Sequence, residues 1–357
     1  MAGFLPGAVI SGSMRVAFVS LRTTHHGDAP GARRLERVAR MLAGRGHEVT
    51  VFCDQWWGGE MVQSFVDDPI EYRRVSVGGR WSFRVGLPFA LAGYRPDVVH
   101  ARPSPPQLGA AHWGARLARV PFVVDWFGDE QTGDGFTGTS TRRPDRLLVP
   151  SQLVWTRACQ RGADADRTEI VPESIEFGRL NTVDPDPDVD LVYAHPLDEH
   201  ANLDQFLLAL AELRSRGWHA TVVGDGPRRE EYEQMARELR IDNRVDFAGA
   251  CDRNRRLELY RGAHVFIQTA TRELFATELL WALACGCVGI VEYQAGSSAH
   301  ELVESYPRSF RVTSPAELAD AIAEAGDLDK MSHEESWQSY DSDAVVEQYL
   351  DVYRELL

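Results

Sequence analysis

The sequence predicts an α/β protein built from two Rossmann-like domains that face each other across a cleft. Short apolar segments typical of buried parallel strands alternate with helical segments along the chain. The alternation stops at an acidic, proline-rich stretch, residues 181–190, and then starts again, so we interpret this stretch as a linker. The length of 357 residues also suits two domains of roughly 150 residues each.

The first domain is predicted at residues 14–180. It opens with the β-rich run RVAFVSL and the segment RRLERVARMLAGRG, whose apolar residues recur at helical spacing. Gly46 ends this helix before the strand HEVTVFC, and further strands are expected at 97–101, 121–127 and 146–151. Such a parallel, doubly wound sheet binds its ligands at the carboxyl ends of the strands.

The second domain is predicted at residues 191–335, followed by an amphipathic helix in residues 336–357. Its expected strands are DLVYAH, HATVVG, RVDFAG, HVFIQT, VGIVEY and SFRVTS, with helical segments between them. At the other end, residues 1–13 lack a basic start and hold only a short apolar part, unlike a signal peptide. We expect either a disordered leader or an upstream start codon ahead of Met14.

The composition of charged residues favours some classes of protein and argues against others. The formal net charge is −15, and Lys330 is the only lysine among 38 basic residues. An acidic surface with almost no lysine is typical of a halophilic protein kept soluble in high salt. A GC-rich genome that replaces lysine codons with arginine codons is the alternative explanation. Under either explanation, the charge argues against nucleic-acid binding, which needs a basic face.

The cysteines indicate a reducing compartment. They number 5, form no CxxC pair, and lie in or beside apolar segments. They therefore fit the reduced core thiols of a cytoplasmic protein, and no metal-ligand spacing occurs. No segment reaches the roughly 18 apolar residues that a membrane span requires. The sequence thus predicts at most a peripheral contact with the inner face of a membrane.

A short glycine-containing turn, GDGP at residues 224–227, follows an expected strand and precedes an expected helix. Such a turn brings backbone amides and a helix N-terminus close to an anion. The third glycine of a dinucleotide-binding fingerprint is missing, so that match is weak and a simple strand-to-helix turn is the favoured interpretation.

Five motifs are more specific together than apart, and they occur in the order RGHEVTVF, DVVHA, IVPESIEF, VVGDGPRREEYEQMARELRIDNRVDFAG and ELFATELLWALACG. In order and spacing they resemble the retaining GT-B glycosyltransferases of family 4, over nearly the whole chain from Met14. The resemblance implies a nucleotide-sugar donor held by the second domain and a glycan, lipid-linked or small-molecule acceptor held by the first. It also implies metal-independent transfer without a cofactor, and a last helix that crosses back to the first domain.

Within this resemblance, the stretch RELFATELLWALACGC carries the donor site. The register of its closing Ala-x-Ala-x-Gly places the family's first carboxylate, which contacts the donor sugar, at Glu273. The second carboxylate, which holds the ribose hydroxyls, falls on Trp281, a residue that could stack on a base or pack in the core. Glu278 is outside this register. We interpret it as part of a helix cap after Thr277, where a carboxylate favours the helix dipole.

Other positions depart from the family pattern. The Arg and Lys that neutralise the donor diphosphate align with His195 and His200, which we expect to be mostly neutral at pH 7, because unperturbed imidazole has a pKa of about 6.5. The glycine-flanked loop ends here in Phe275 and Ala276, which restricts backbone approach to phosphate. The first-domain histidine falls on Phe127. Losing fixed cations removes electrostatic stabilisation of the leaving diphosphate.

The candidate site residues fall into three groups. Glu273 and Asp125 are the catalytic candidates, and Gly27, Gly31 and Asp129 are the acceptor-binding candidates. The donor-binding candidates are His195, His200, Gly224, Arg228, Arg272, Phe275, Ala276 and Trp281. Replacement cations are sought among arginines that end strands or open helices, namely Arg22, Arg102, Arg228, Arg229 and Arg272.

Three hypotheses remain open at this point. The first is an active glycosyltransferase with a rebuilt donor site. The second is a degenerate, non-catalytic homologue that binds a sugar, a nucleotide or an enzyme partner, which the altered donor positions favour. The third is a different enzyme with two Rossmann-like domains, such as a nucleotide-sugar epimerase. Hydrolysis of a nucleotide-sugar donor distinguishes the first hypothesis from the second.

Overall fold

The structure is a computed structural model that describes residues 12–59, 62–76, 79–103, 107–128 and 144–357. It divides into two compact units. The first unit comprises Met1–Pro150, Val154–Val171 and Val346–Leu357, and the second comprises Ser151–Leu153 and Pro172–Val345. The main division lies between Val171 and Pro172, ahead of the stretch 181–190 that we interpreted as a linker.

The first unit contains an eight-stranded sheet with the order β3-β4-β2-β1-β5-β6-β7-β8. All neighbouring strands are parallel except β3, which runs antiparallel to β4. The strands are β1 (Arg15–Val19), β2 (Glu48–Asp54), β3 (Ser64–Asp67), β4 (Ile70–Ser76), β5 (Val98–Ala101), β6 (Phe122–Asp125), β7 (Arg146–Val149) and β8 (Thr168–Ile170). The accompanying helices are α1 (Pro30–Gly44), α2 (Arg80–Tyr94), α3 (Gln107–Ala118) and α4 (Gln152–Gln160).

The amphipathic pattern of the first helical segment explains how α1 packs. Leu35, Val38 and Leu42 recur at helical spacing and are buried. Pro30 occupies the start of α1, where the missing N–H is no loss. The chain turns into β2 at Gly46, whose φ of +85° is a left-handed conformation that glycine adopts without a Cβ clash.

The second unit contains a six-stranded, fully parallel sheet with the order β11-β10-β9-β12-β13-β14. Its strands are β9 (Leu191–Ala194), β10 (Ala220–Val223), β11 (Val245–Gly249), β12 (Val265–Gln268), β13 (Val288–Glu292) and β14 (Ser309–Val312). Its helices are α5 (Leu203–Glu212), α6 (Arg229–Glu238), α7 (Arg253–Gly262), α8 (Thr277–Ala284), α9 (Ala299–Val303) and α10 (Pro315–Ala325). The predicted fold class, two parallel-sheet Rossmann-like units, is confirmed.

Each sheet has one point where the chain reverses its direction of travel across the strands. In the first unit this point lies between β1 and β5, and in the second it lies between β9 and β12. Loops that leave neighbouring strands in opposite directions open a crevice at the carboxyl ends of those strands, where ligands bind in this kind of sheet. The residues that follow β9 and β12 are therefore the place to look for a site in the second unit.

The last helix, α11 (Ser342–Leu356), returns to the first unit, to which residues from Val346 onward belong. Tyr349 Oη donates to Asp125 Oδ2 at 2.9 Å, and Tyr353 Oη lies 2.6 Å from His100 Nδ1. Both tyrosines are fully buried. The helix therefore packs on the first unit, as the resemblance implied. No helix in the described ranges is long and apolar enough to cross a membrane.

Candidate active site

An imidazole and a carboxylate meet at the reversal point of the second sheet. His195 directly follows β9, and Glu273 lies in the loop after β12. His195 Nε2 is 3.3 Å from Glu273 Oε1, and the two side chains are 7% and 22% exposed. The structure therefore brings together two residues that the sequence placed in the donor site.

Backbone hydrogen bonds from the loop after β13 hold Glu273 in place. Ser298 N–H donates to the Glu273 carbonyl at 2.7 Å, and Glu273 N–H donates to the Gly296 carbonyl at 3.4 Å. Gly296 is needed for this approach, because an added Cβ would lie 2.5 Å from the Thr271 carbonyl oxygen. The carboxylate is therefore positioned by two adjacent loops, which limits where its oxygens can reach.

The surroundings of His195 favour its protonated form. Its Nδ1 lies 2.7 Å from the Pro196 carbonyl oxygen, while its Nε2 faces the Glu273 carboxylate. Two acceptors are both satisfied only when each ring nitrogen carries a proton. Burial opposes the charge, but the hydrogen bond and the negative charge of Glu273 outweigh it and raise the pKa of His195. The surroundings therefore shift His195 toward the charged form, relative to the unperturbed imidazole that we assumed.

His200 lies on the same edge of the second sheet. Thr271 N–H donates to the His200 carbonyl at 2.9 Å, and Thr271 Oγ1 is 3.5 Å from His200 Nδ1. His200 Nε2 is 3.6 Å from Glu199, and the His200 side chain is 35% exposed. His200 thus lies beside the loop that carries Glu273, with its ring partly open to solvent.

The GDGP turn packs against the loop that carries His195. Gly224 has a φ of +139°, and a Cβ there would lie 2.0 Å from the His195 carbonyl oxygen. The Gly224 N–H already donates to the Gly249 carbonyl at 2.9 Å, so this amide is not available to a phosphate. This glycine permits close packing of the loop that carries His195, and direct donor binding by Gly224 stays a prediction.

The predicted replacement cations differ in how much of their charge is neutralised. Arg228 donates to both oxygens of Glu231, at 2.8 and 2.6 Å, and Arg229 donates to Glu233 at 2.7 Å. Arg272 is exposed and forms no ion pair with the described residues. Among the candidates of the second unit, Arg272, next to Glu273, therefore remains the most available arginine.

Three donor-binding candidates lie in the interior of the second unit. Phe275 is 7% exposed, Ala276 is 1% exposed, and Trp281 is 4% exposed. The Arg253 guanidinium carbon lies 4.9 Å from the centroid of the Trp281 ring. The side chains are committed to packing, so the core interpretation of Trp281 is the one that the geometry supports.

Glu278 has a larger role than the cap that we predicted. The helix α8 begins after Ala276, and no side chain provides a capping hydrogen bond there. Instead, Glu278 accepts from Arg256 Nη1 at 2.5 Å and from Tyr260 Oη at 2.6 Å. Since both donors belong to α7, the carboxylate joins α7 to α8. Glu278 also lies in the first turn of α8, as predicted, where a carboxylate favours the helix dipole.

In the first unit, a small cavity lies beside the predicted acceptor loop. It has a volume of about 240 Å³ and is found where the loops after β1 and β5 meet. Gly27 lines it, whereas Gly31 is buried in the first turn of α1, and Asp129 lies outside the described residues. The lining residues are Arg22, Thr23, His26, Gly27, Asp28, Ala29, Ala32 and Arg102.

Asp125 is an interior residue of the first unit. Its side chain is 2% exposed and receives Arg34 Nε at 2.8 Å as well as the hydroxyl of Tyr349. Burial opposes ionisation, but the charge and hydrogen bond of Arg34, together with the nearby imidazole of His100, prevail and lower the pKa of Asp125 to about 2. The geometry favours a structural carboxylate that secures α11, in place of the catalytic role that we predicted.

Sequence reasoning missed the residues that hold Asp125 and Glu273 in place. Arg34 lies on the otherwise apolar buried face of α1, and this exception in the helical pattern was a usable signal for a buried ion pair. The loop around Gly296 and Ser298 gave a weaker signal, because its hydrogen bonds are made by backbone groups and only the glycine that permits its close approach is distinctive.

Two family models match the chain. The model described as glycosyl transferase 4-like domain matches residues 31–173, and the one described as glycosyl transferases group 1 matches residues 179–340. Among curated proteins, the gpi3 subunit of phosphatidylinositol N-acetylglucosaminyltransferase from Schizosaccharomyces pombe is 26% identical over 102 residues, or 29% of this chain. The match spans only 22% of the length of that relative.

Solved structures share the fold over most of the chain. A glycosyltransferase from Rickettsia africae has a TM-score of 0.76 at 14% identity, covering 96% of this chain and 98% of that chain. The Anabaena protein HepE, in complex with UDP and glucose, has a TM-score of 0.70 at 18% identity, covering 96% and 100%. The lipopolysaccharide outer core galactosyltransferase WaaB, in its apo form, has a TM-score of 0.72 at 15% identity, covering 96% and 100%.

The family models and the structural neighbours lead to the same assignment. The two models together span most of the chain, and they adjoin near the division between the two units. The structural neighbours establish only the fold, because identities this low support no conclusion about activity or substrate. The chain therefore belongs to the glycosyltransferases of the GT-B fold, with a 4-like domain followed by a group 1 domain.

Proposed function

We propose that the protein transfers a sugar, with retention, from a nucleotide-diphosphate donor to a lipid-linked or glycan acceptor. The observation that carries this proposal is the His195–Glu273 pair at the reversal point of the second sheet. A cation and a carboxylate at this edge suit the two halves of such a donor, which are an anionic diphosphate and a sugar rich in hydroxyl groups.

The two residues would act on different parts of the donor. Glu273 accepts hydrogen bonds from sugar hydroxyls and so orients the anomeric carbon. When the bond between that carbon and the phosphate oxygen breaks, the electron pair remains on the diphosphate, whose charge must then be stabilised. His195 supplies a positioned positive charge for that moment, and Arg272 is exposed on the adjacent loop to add a second one.

Relatives support the choice of donor and acceptor class. The structural neighbour HepE is bound to UDP and glucose, and WaaB is a galactosyltransferase of the lipopolysaccharide outer core. The curated relative gpi3 belongs to a transferase whose named substrate is phosphatidylinositol. These names favour a nucleotide-sugar donor and an acceptor that carries a lipid or glycan.

The cavity in the first unit is the acceptor site in this proposal. Arg22 and Arg102 line it, and so does Ala29, the N-cap residue of α1. Guanidinium groups and a helix N-terminus both favour an anion. An acceptor that bears a phosphate or carboxylate near the receiving hydroxyl group therefore fits better than a neutral one.

A second candidate function is binding without turnover. It is favoured by the position of Trp281, which is buried where the family holds the ribose hydroxyls with a carboxylate. A protein of this kind would hold a sugar or nucleotide through His195 and Glu273 but would release no nucleotide.

The test is a panel of nucleotide sugars in low and high salt, with thermal shift measuring binding and released nucleotide diphosphate measuring turnover. We expect one donor to stabilise the protein and to be consumed. Glu273→Gln should lower turnover at least about tenfold, because it removes a positioned sugar contact but no core volume. Glu199→Gln, an exposed change on the same edge, is the matched control.

The panel distinguishes turnover, binding without turnover, and the absence of nucleotide-sugar binding. Stabilisation by a donor without release of nucleotide, in the presence of candidate acceptors, would support binding without turnover. No stabilisation by any nucleotide sugar would overturn the proposed donor class.

A further inference from the structure

Two adjacent helices of the first unit expose large apolar side chains to solvent. On α2, Trp81 is 76% exposed, Val85 is 61% exposed and Phe89 is 70% exposed. On α3, Trp113 is 63% exposed and Leu117 is 54% exposed. We refer to these five side chains as the α2–α3 face. Contiguous exposed apolar surface of this kind marks an interaction site more often than a scattered single residue does.

The exposed apolar side chains recur at a regular helical spacing. Trp81, Val85 and Phe89 are four residues apart and so lie along one stripe of α2, and Trp113 and Leu117 repeat the same spacing on α3. The opposite stripe of α2, which includes Phe83, Leu87 and Leu91, is buried. Both helices therefore have an apolar stripe on the solvent side in addition to the one that packs inward.

The two helices pack closely against each other. An added Cβ at Gly114 of α3 would lie 2.6 Å from Leu91 Cδ1 and 3.2 Å from Pro88 Cα of α2. Phe89 and Trp113 each adjoin a residue of this contact in the sequence. The two stripes therefore belong to one pair of packed helices, and a single flat partner is able to meet both.

The charge around the α2–α3 face is opposite to that of the whole protein. The chain has a net charge of −15, yet residues 72–124 contain 8 arginines and a single acidic residue, Asp97. Neither α2 nor α3 contains an aspartate or glutamate. In a protein so rich in acid, this segment is a local basic surface that attracts a polyanion.

The arginines of the two helices are available for such a partner. Arg80, Arg84, Arg116 and Arg119 are exposed, and none forms an ion pair with another described residue. The acidic residue Asp145 lines an open groove together with Arg116 and Arg119 but forms no ion pair with either arginine. Its Oδ2 instead accepts the backbone N–H of Phe122 at 2.9 Å.

We propose that the α2–α3 face docks the protein on the surface of a bilayer that contains anionic lipid. Tryptophan, phenylalanine and leucine bury their apolar parts at the boundary between headgroups and acyl chains, while arginines reach the lipid phosphates. A second copy of the chain is a poorer occupant, because pairing this face with itself would bring arginines against arginines. The inference concerns location and goes beyond the proposed transferase function.

Vesicle sedimentation with the full chain tests the proposal. The probes are vesicles of phosphatidylcholine alone and of phosphatidylcholine with phosphatidylglycerol, at low and high salt. We expect binding to the anionic vesicles only, and weaker binding at high salt, because mobile ions screen the attraction between arginine and phosphate. Tryptophan fluorescence should also be quenched by brominated acyl chains in the bound state.

Two pairs of substitutions separate the apolar and the basic contributions. Trp81→Ser with Phe89→Ser should weaken binding at least about tenfold and reduce the quenching, since apolar anchors are lost. Arg80→Glu with Arg84→Glu should weaken it at least about tenfold and remove most of the salt dependence. Trp113→Ser with Leu117→Ser is a second apolar pair, for use if the first alters the melting temperature.

The matched controls lie on the second unit. Leu208 of α5 is 36% exposed and Arg311 of β14 is also exposed, so Leu208→Ser and Arg311→Glu should leave vesicle binding unchanged. Equal binding by wild type and by folded variants of the α2–α3 face would overturn the proposal. So would self-association that these variants abolish in the absence of any vesicle binding.

Discussion

At the scale of single residues, folding raises the pKa of a histidine that stands where the family resemblance places a cation. The family resemblance places a basic residue at His195, and an isolated imidazole would be mostly neutral near pH 7. The carbonyl of Pro196 and the carboxylate of Glu273 change this by accepting from both ring nitrogens. The loss of an arginine or lysine from the sequence is thus partly compensated by local geometry.

The His195–Glu273 pair should make stability and donor binding depend on pH. Because the pKa of His195 is raised in the folded state, its contribution is fully present below the unfolded pKa of about 6.5 and is lost as pH rises through the folded pKa. We expect the free energy of unfolding and the donor affinity to fall together across that window. Titration of the imidazole by NMR, alongside denaturant unfolding at each pH, measures both.

A neutral substitution provides the comparison for this pH dependence. His195→Gln keeps a donor for Glu273 but has no titrating proton, so the pH dependence in this window should flatten. His300→Gln, on α9, is the control substitution of another histidine. A decline in His195→Gln that matches the wild type would assign the pH dependence to other groups.

The sequence placed Glu273 and His195 correctly on one edge because both follow strands that are recognisable from their apolar runs. It could not foresee the raised pKa of His195, since that depends on two acceptors brought together by folding. It also misassigned Asp125, whose partners Arg34 and Tyr349 are distant along the chain. For Trp281 the sequence favoured packing over stacking on a base, and its burial in the structure agrees with this.

At the scale of elements, side-chain contacts between α7 and α8 support the loop that carries Glu273. Glu278 receives Arg256 and Tyr260 of α7, and Arg253 of α7 lies against both Glu278 and Trp281 of α8. The helix α8 follows directly from the loop that carries Glu273. The contact between α7 and α8 therefore supports the loop from one side without touching a substrate.

Glu278 should matter more for stability than a residue at a helix start usually does. Glu278→Ala leaves the buried hydroxyl of Tyr260 without its acceptor, which we expect to cost about 1–3 kcal/mol. Glu278→Gln keeps an acceptor and should cost less. Glu230→Ala, an exposed acidic residue in the first turn of α6, is the control and should cost at most about 0.5 kcal/mol. Denaturant unfolding that ranks Glu278→Ala with this control would show that Glu278 contributes only through its place in the first turn of α8.

The attachment of α11 can be tested in the same way. Tyr349→Phe removes the hydroxyl that donates to the buried Asp125 carboxylate, so we expect a loss of about 1–3 kcal/mol. Amide exchange should increase first in residues 346–357. Asp351→Ala, which removes only an exposed ion pair with Arg354, should change stability by less than about 1 kcal/mol. Unchanged exchange in Tyr349→Phe would show that apolar packing alone holds the helix.

At the scale of the whole molecule, the distribution of charge connects stability with location. Acidic residues exceed basic ones by the 15 charges of the net balance, while residues 72–124 are strongly basic. Dispersed negative charges repel one another and lower the stability of the compact state. The basic segment instead carries the α2–α3 face, where the absence of acid leaves the arginines available.

These two features predict opposite responses to salt. The Debye length falls from about 10 Å at 0.1 M to about 3 Å at 1 M, so salt weakens repulsion among the acidic groups. The melting temperature should therefore rise substantially between these concentrations in KCl as well as in sulfate, if the composition reflects a halophilic protein. A flat response would leave codon bias as the explanation for the single lysine. Because the same ions screen the arginines of the α2–α3 face from lipid phosphates, vesicle binding should fall over the range in which the melting temperature rises.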